Sequence, residues 1–367
     1  MIDAATVARI RVFEDAHPES GRLAWPARIA LAFGAFMLGT GVLLFVSAHW
    51  DTLSPLVRFS LVLSLTAVFH VAGAAVASHE RALATTLHAL GTVALGAGIF
   101  LTGQIFNLHD HWPGGLMLWA LGAALGWGVL RDLPQMALTV MLAPAWLVAE
   151  WIDATNSPLI QDIGSARVAA CGVFLLALAY FTAQARRDAA STTPRDVLSW
   201  IGAVAFAPAA ISLAFLAQEP FGAQPPAAPT LPLGIGILGW TVALGLPLAV
   251  ARVTRPQGMW MLGVAALWTV LLSPLHSLGG EWTQYGWWAL GGVGLVAWGV
   301  RDMRVDRINM GAAVFASTVL AFYFSHVMGK LGRSASLVGF GLLFLAGGTG
   351  LERLRRRLVR HATGERK

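Results

Sequence analysis

Nine polar side chains gather where three apolar runs of this chain end. They are His49 and Asp51 after the first run, Gln104, Asn107, His109, Asp110 and His111 at the end of the third, and Glu150 and Asp153 at the end of the fifth. Imidazoles beside carboxylates can hold a divalent metal or pass protons. If the three run ends are neighbours, these residues form a polar cup open to one side of a membrane; residues just past a helix end are otherwise simply solvated. Gln104 and Asn107 still fall within the apolar run, where a polar side chain turns towards the bundle or a water-filled cavity.

Two further features carry chemistry. Arg58 stands in the first turn of the second run, and Ser54 as N-cap with Pro55 at the first helical position would fold the chain back sharply, bringing Asp51 towards it. An ion pair locking that corner is one reading, and a guanidinium clamp on an anionic headgroup or phosphate is the other. His70 lies near the middle of the second run. An ionisable group at that depth suggests function, although a neutral imidazole hydrogen-bonded to a carbonyl fits the same sequence.

Known catalytic signatures are missing. There is no phosphate-binding Gly loop followed by Lys-Ser/Thr, no HExxH and no GxSxG. The single cysteine, Cys171, lies in an apolar run and provides neither an internal disulfide nor a Cys-based metal site. The chain is therefore expected not to be an enzyme and to carry no cofactor and no resident metal, an outward His/Asp site being the one opening for membrane catalysis.

The elements that position these groups follow from composition. The chain is 56% hydrophobic and 12% charged, with a mean hydropathy of +0.66, whereas ordinary soluble domains carry about 25% charged residues. Apolar runs occupy approximately 29–49, 58–78, 84–106, 113–130, 134–151, 167–185, 198–217, 232–251, 257–276, 283–300, 308–328 and 335–351, each near the length that spans a bilayer. The fold class is thus all-α, a polytopic membrane helix bundle of about twelve transmembrane helices. The net charge of +6 does not point to nucleic acid, because the cations lie in short loops between the runs. With both termini cytoplasmic, only Arg58, Arg167, Lys330 and Arg333 of the 25 Lys and Arg residues fall outside, as the positive-inside rule requires. The first run starts near Arg28, too far in and too long for a cleavable signal peptide.

Within the third run, Gly91 and Gly98 share one helix face while Gly96 and Gly103 share another. Two small-residue faces let two neighbours approach one central helix closely. Pro144, Pro208 and Pro247 fall inside later runs, where they free carbonyls. Trp50, Trp112, Trp151, Trp282 and Trp287 at run ends suggest an aromatic belt. A second pattern implies duplication: Trp119-Ala-Leu-Gly122, Trp127-Gly-Val and Arg131-Asp132 recur as Trp288-Ala-Leu-Gly291, Trp298-Gly-Val and Arg301-Asp302. The offset of six runs keeps orientation, so two parallel six-helix repeats are expected. The organisation is then a cytoplasmic segment 1–28, halves 29–185 and 198–351 joined by a cytoplasmic linker 186–197, and a basic tail 352–367 near anionic lipid.

Three stretches carry a resemblance. GVLLFVSAHWDTLSPLVRFSLVL (41–63), ALGAGIFLTGQIFNL (94–108) and LWALGAALGWGVL (118–130) resemble the bacterial predicted-membrane-protein family catalogued as domain of unknown function 2157. The matching features are Trp50-Asp51, Ser54-Pro55 with Arg58, and Gln104-Ile105-Phe106; His49 replaces the Asn that precedes the Trp in the family pattern. The resemblance covers roughly residues 25–150 and implies a protein of the bacterial inner membrane, without supplying a reaction. The expected activity is that of a transporter or flippase-like protein for a small solute or lipid-linked anion, with His49, Asp51, Arg58, His70, Gln104, Asn107, His109 and Asp110 as candidate binding residues. The rival is a membrane scaffold, sensor or assembly factor. Expected partners are membrane lipids, a small ligand, and a membrane-embedded protein or second copy of the chain.

Overall fold

The structure, a computed structural model, describes residues 53–105, 111–155, 163–184, 193–217, 232–279 and 281–328, with isolated positions at 33 and 37 and between 338 and 357. Among the described residues every regular element is helical. We number the ten α-helices α1 (Pro55–Val76), α2 (Arg81–Ile105), α3 (Pro113–Leu130), α4 (Leu133–Thr155), α5 (Ile163–Phe181), α6 (Thr193–Ala217), α7 (Leu233–Thr254), α8 (Met259–Gly279), α9 (Glu281–Arg301) and α10 (Val305–Phe322). The chain divides into two compact units, Met1–Ser64 and Leu65–Lys367.

Among the described residues eight helices, α1 to α7 and α10 with its continuation to Val327, are long and apolar enough to cross a membrane. The expected runs from 58–78 to 308–328 each overlap one helix, and the 113–130 run coincides with α3. The runs 29–49 and 335–351 lie outside the continuously described residues. Helix α9 is not among the eight, because Trp282, Thr283, Gln284 and Tyr285 make its first turns polar.

Local chemistry sets the helix ends. Ser54 caps α1 through a long bond from the Val57 N–H to its Oγ (3.5 Å), and Pro55 follows where a missing N–H costs nothing. Asp132 caps α4, its Oδ1 accepting the Gln135 N–H at 2.9 Å. The α3–α4 corner turns through Arg131 at φ 51° and the α9–α10 corner through Met303 at φ 57°, a conformation in which the chain leaves a helix at a sharp angle.

Helix α5 is the centre of the larger unit. In its most apolar window 72% of the residues are buried, against 33% or less in the other seven spanning helices. Phe174, Leu175, Leu178 and Phe181 form its core cluster with Phe206 and Leu213 of α6 and Leu262 and Leu272 of α8. Of the two expected glycine faces of α2, Gly91 faces the His70 ring of α1 and Gly96 faces the indole of Trp119 on α3, whereas a Cβ on Gly103 would meet nothing within 4 Å.

One helix-interior proline has a visible compensation. Pro144 leaves the Val140 carbonyl without its helical N–H, and the Tyr180 hydroxyl of α5 donates to that carbonyl at 3.1 Å. Tyr180→Phe keeps the ring and orphans a part-buried acceptor, so thermal unfolding in detergent should show a loss of about 1 kcal/mol. An unchanged melting temperature would mean the carbonyl has another donor. Of the five tryptophans expected at run ends, Trp50 lies outside the described residues. Trp112 and Trp282 are exposed at helix ends, whereas Trp151 donates to the Ser165 carbonyl and Trp287 to the Trp268 carbonyl, so these two are packed inward.

Candidate functional site

The most unusual polar arrangement lies inside the apolar span of α1 and α2. His70 and His88 face each other with their Nδ1 atoms 3.2 Å apart. The geometry is reciprocal: the His88 ring lies where a Cβ on Gly73 would be, at 2.9 Å, and the His70 ring where a Cβ on Gly91 would be, at 2.8 Å. Each helix thus offers an imidazole and, one turn on, a notch for its partner's imidazole. At 3.2 Å one Nδ1 donates and the other accepts, so the pair holds a single shared Nδ1 proton; a second would set two donors face to face.

A buried amide extends this pair. Gln135 of α4 is fully buried and its Nε2 donates to the His88 carbonyl at 3.0 Å and to Thr92 Oγ1 at 2.8 Å. Trp119 of α3 donates to the Thr92 carbonyl at 2.8 Å. Gly126 leaves room for the Gln135 amide, whose Oε1 lies 2.9 Å from the position of an added Cβ. Four helices therefore converge on two imidazoles, an amide and a hydroxyl inside apolar surroundings, where every satisfied bond is worth more than in water and every orphan costs more.

At the opposite end of α4 part of the expected cup is assembled. His111, just ahead of α3, places Nε2 3.1 Å from Glu150 Oε1 and Nδ1 3.3 Å from Asp153 Oδ2. Trp146 also donates to Glu150 Oε1, at 2.7 Å. Both ring nitrogens are engaged by carboxylates, which suits an imidazolium. The hydrogen bond to Glu150 comes first in raising the His111 pKa above its ordinary value; desolvation opposes it, and the charges of Glu150 and Asp153 add to the rise. A raised folded-state pKa stabilises fully below the unfolded value, about 6.5, and that contribution is lost as pH rises through the folded one. The melting-temperature gap between wild type and His111→Gln is thus expected to be largest below about pH 6.5 and to close at higher pH. A gap that grows with pH would reverse the assignment. Among the described residues no group of three His, Cys, Asp or Glu side chains is arranged to hold a metal ion.

A third cluster was not singled out by the sequence. Asp302, between α9 and α10, accepts from Arg255 Nη1 at 2.8 Å, from Trp298 Nε1 at 2.9 Å, and from Arg307 Nη1 in a second ion pair. Arg307 is fully buried and also donates to the Thr182 and Gln184 carbonyls at 3.2 and 2.6 Å. Burial pushes the Arg255 pKa down and Asp302 opposes that shift. In sequence both arginines count only among the loop cations that set orientation; the structure buries them.

Of the expected site residues, the structure places His70 in the imidazole pair and Arg58 in the first turn of α1, with its Nε donating to the Leu53 carbonyl at 2.9 Å. Gln104 lies in the last turn of α2. His49, Asp51, Asn107, His109 and Asp110 lie outside the described residues, and with them the proposed Asp51–Arg58 pair. His88 and Gln135 were missed. The available signal was the spacing: His70 with Gly73 and His88 with Gly91 repeat one three-residue step on adjacent runs.

The two copies of the Trp-Gly-Val…Arg-Asp pattern end α3 and α9, yet their surroundings differ. Trp127 is 41% exposed and Trp298 is buried; Gly128 faces open space and Gly299 faces Ile308.

Residues 1–136 match the family described as predicted membrane protein (DUF2157). That span includes the Ser54-Pro55 corner and the His70–His88 pair and ends at the start of α4. No curated protein and no solved structure matches the chain.

Proposed function

We propose that this membrane protein is a transporter or flippase-like carrier for a small solute or a lipid-linked anion. The observation that supports it is the His70–His88 pair, a proton-sharing group in mid-span whose two helices are notched to receive it. Apolar packing would fill that space without desolvating two imidazoles, and intramembrane ionisable residues mark pathways and relays. In this reading α1 and α2 form the moving wall, Gln104 lies at its far end, and gain or loss of one proton changes how the imidazoles face each other. It further takes the chain to be a twelve-span protein of the bacterial inner membrane, with two parallel halves and both termini in the cytoplasm.

The test uses proteoliposomes. Movement of a fluorescent anionic lipid is followed by dithionite quenching, and proton uptake by an internal dye on addition of a panel of small anions. Wild-type protein should exceed protein-free liposomes in one assay, and His70→Ala should lose that excess while remaining folded at the assay temperature. Wild-type rates equal to empty liposomes throughout would remove the transport reading.

One observation favours the rival role as a scaffold or assembly factor. The buried Gln135 amide donates fully within the protein, as dry permanent packing requires. Under that reading His70→Ala lowers the melting temperature and nothing else.

A further inference from the structure

A cavity of about 440 Å³ lies between α8 and α9, within the range of roughly 300–1,000 Å³ that holds small-molecule ligands. Trp260 and Trp268 of α8 and Trp287, Trp288 and Trp298 of α9 line it, and Phe174 and Phe206 back it. Such a lining gives a hydrated solute nothing in exchange for its water, whereas a hydrocarbon chain needs nothing. The groove along α9 is deepened by glycine: Gly294 lines the cavity, and a Cβ added there would meet no atom within 4 Å.

Charge enters at one end. The Arg301 guanidinium lies over the Trp260 ring, 4.8 Å from its centre, and both side chains are exposed. Trp298, at the same end of α9, carries Arg255 over its ring at 4.6 Å. Arg255 is committed to Asp302. Arg301 meets no carboxylate among the described residues. An exposed guanidinium braced on an indole at the rim of an apolar cleft fits a phosphate at the membrane surface. By the loop charges this rim belongs to the cytoplasmic leaflet, where anionic headgroups attract basic side chains.

We propose that this cleft binds an anionic glycerophospholipid of the surrounding bilayer, with an acyl chain between α8 and α9 along Gly294 and the phosphate on Arg301. The site is separate from the imidazole pair, and lipid occupancy does not depend on whether the protein transports anything.

The tryptophans supply the measurement. The full-length protein in phosphatidylcholine nanodiscs is titrated with phosphatidylglycerol or phosphatidylcholine carrying brominated acyl chains, which quench indoles they touch. Wild type should show saturable quenching by brominated phosphatidylglycerol beyond that of brominated phosphatidylcholine at equal mole fraction. Arg301→Gln should abolish the difference between the two lipids, and Gly294→Phe, whose Cβ meets no atom within 4 Å and whose ring would occupy the groove, should lose the saturable component at unchanged melting temperature. Equal quenching by both lipids in wild type, or an undiminished excess in Gly294→Phe, would overturn the proposal. Brominated oleate competing as well as brominated phosphatidylglycerol would overturn the assignment to a phospholipid in favour of a single-chain carboxylate.

Discussion

Asp302→Ala is expected to lower the unfolding free energy by about 3–5 kcal/mol, the range for breaking a buried ion pair from one side. Asp302 is the anion between two buried guanidiniums, Arg255 and Arg307. Removing it leaves two like charges facing each other out of water, and it strips the Trp298 indole of its acceptor. Arg307 holds further bonds to the Thr182 and Gln184 carbonyls just past the end of α5, so the loss spreads from the α9–α10 corner to the core helix. Asp302→Asn separates charge from shape, because it keeps an acceptor and removes the anion. It should lie between wild type and Asp302→Ala in a denaturant series in detergent. A change under about 1 kcal/mol for Asp302→Ala, the level of an exposed pair, would show that water reaches the cluster.

The limits of the sequence show at this same corner. Runs of about 20 apolar residues mark membrane helices because the bilayer forces every backbone group to bond within its own segment, and so α1 to α7 and α10 were legible before any coordinates. Ser54-Pro55 was legible for the same kind of local reason. The cluster was not. Arg255, Arg301, Arg304 and Arg307 all count as inside cations in the topology expected from the positive-inside rule, and that rule counts charge without asking which cation is buried. Only the turn at Met303, which folds α10 back on α9, brings Asp302 onto Arg307; in sequence, Asp302 was merely the end of a repeated pattern. His88 shows the opposite failure. It lies two turns into α2, where an isolated histidine says little until α1 is laid beside it and the steps His70–Gly73 and His88–Gly91 interlock. Local signals fix elements, and pairing between elements decides which polar groups meet.

Gly202→Ala should be the most damaging single-methyl change in the larger unit. The helices α5 and α6 touch there through their backbones: a Cβ on Gly202 would lie 2.6 Å from the Ala177 carbonyl oxygen and 2.7 Å from the Phe181 Cα, closer still to the Phe181 nitrogen. A clash with a side chain can be relieved by a new rotamer, whereas this one requires whole helices to separate. Ser199, one turn earlier, bonds to the Phe181 carbonyl at 2.8 Å, and Phe206, one turn later, packs on Phe174 and Phe181, so separation would undo both. Helices in lipid gain little hydrophobic drive to associate and depend on such close approach. Overpacking costs about 1–3 kcal/mol and occasionally more; with backbone as the obstacle we expect the upper end, and Gly202→Leu should fail to yield a folded protein. Gly245 of α7 is the matched control, because a Cβ there meets nothing within 4 Å. Gly245→Ala should be neutral or stabilise by up to about 1 kcal/mol through helix propensity alone. If thermal unfolding gave both alanine variants the same stability, close contact at Gly202 would not be what holds α6 on the core helix.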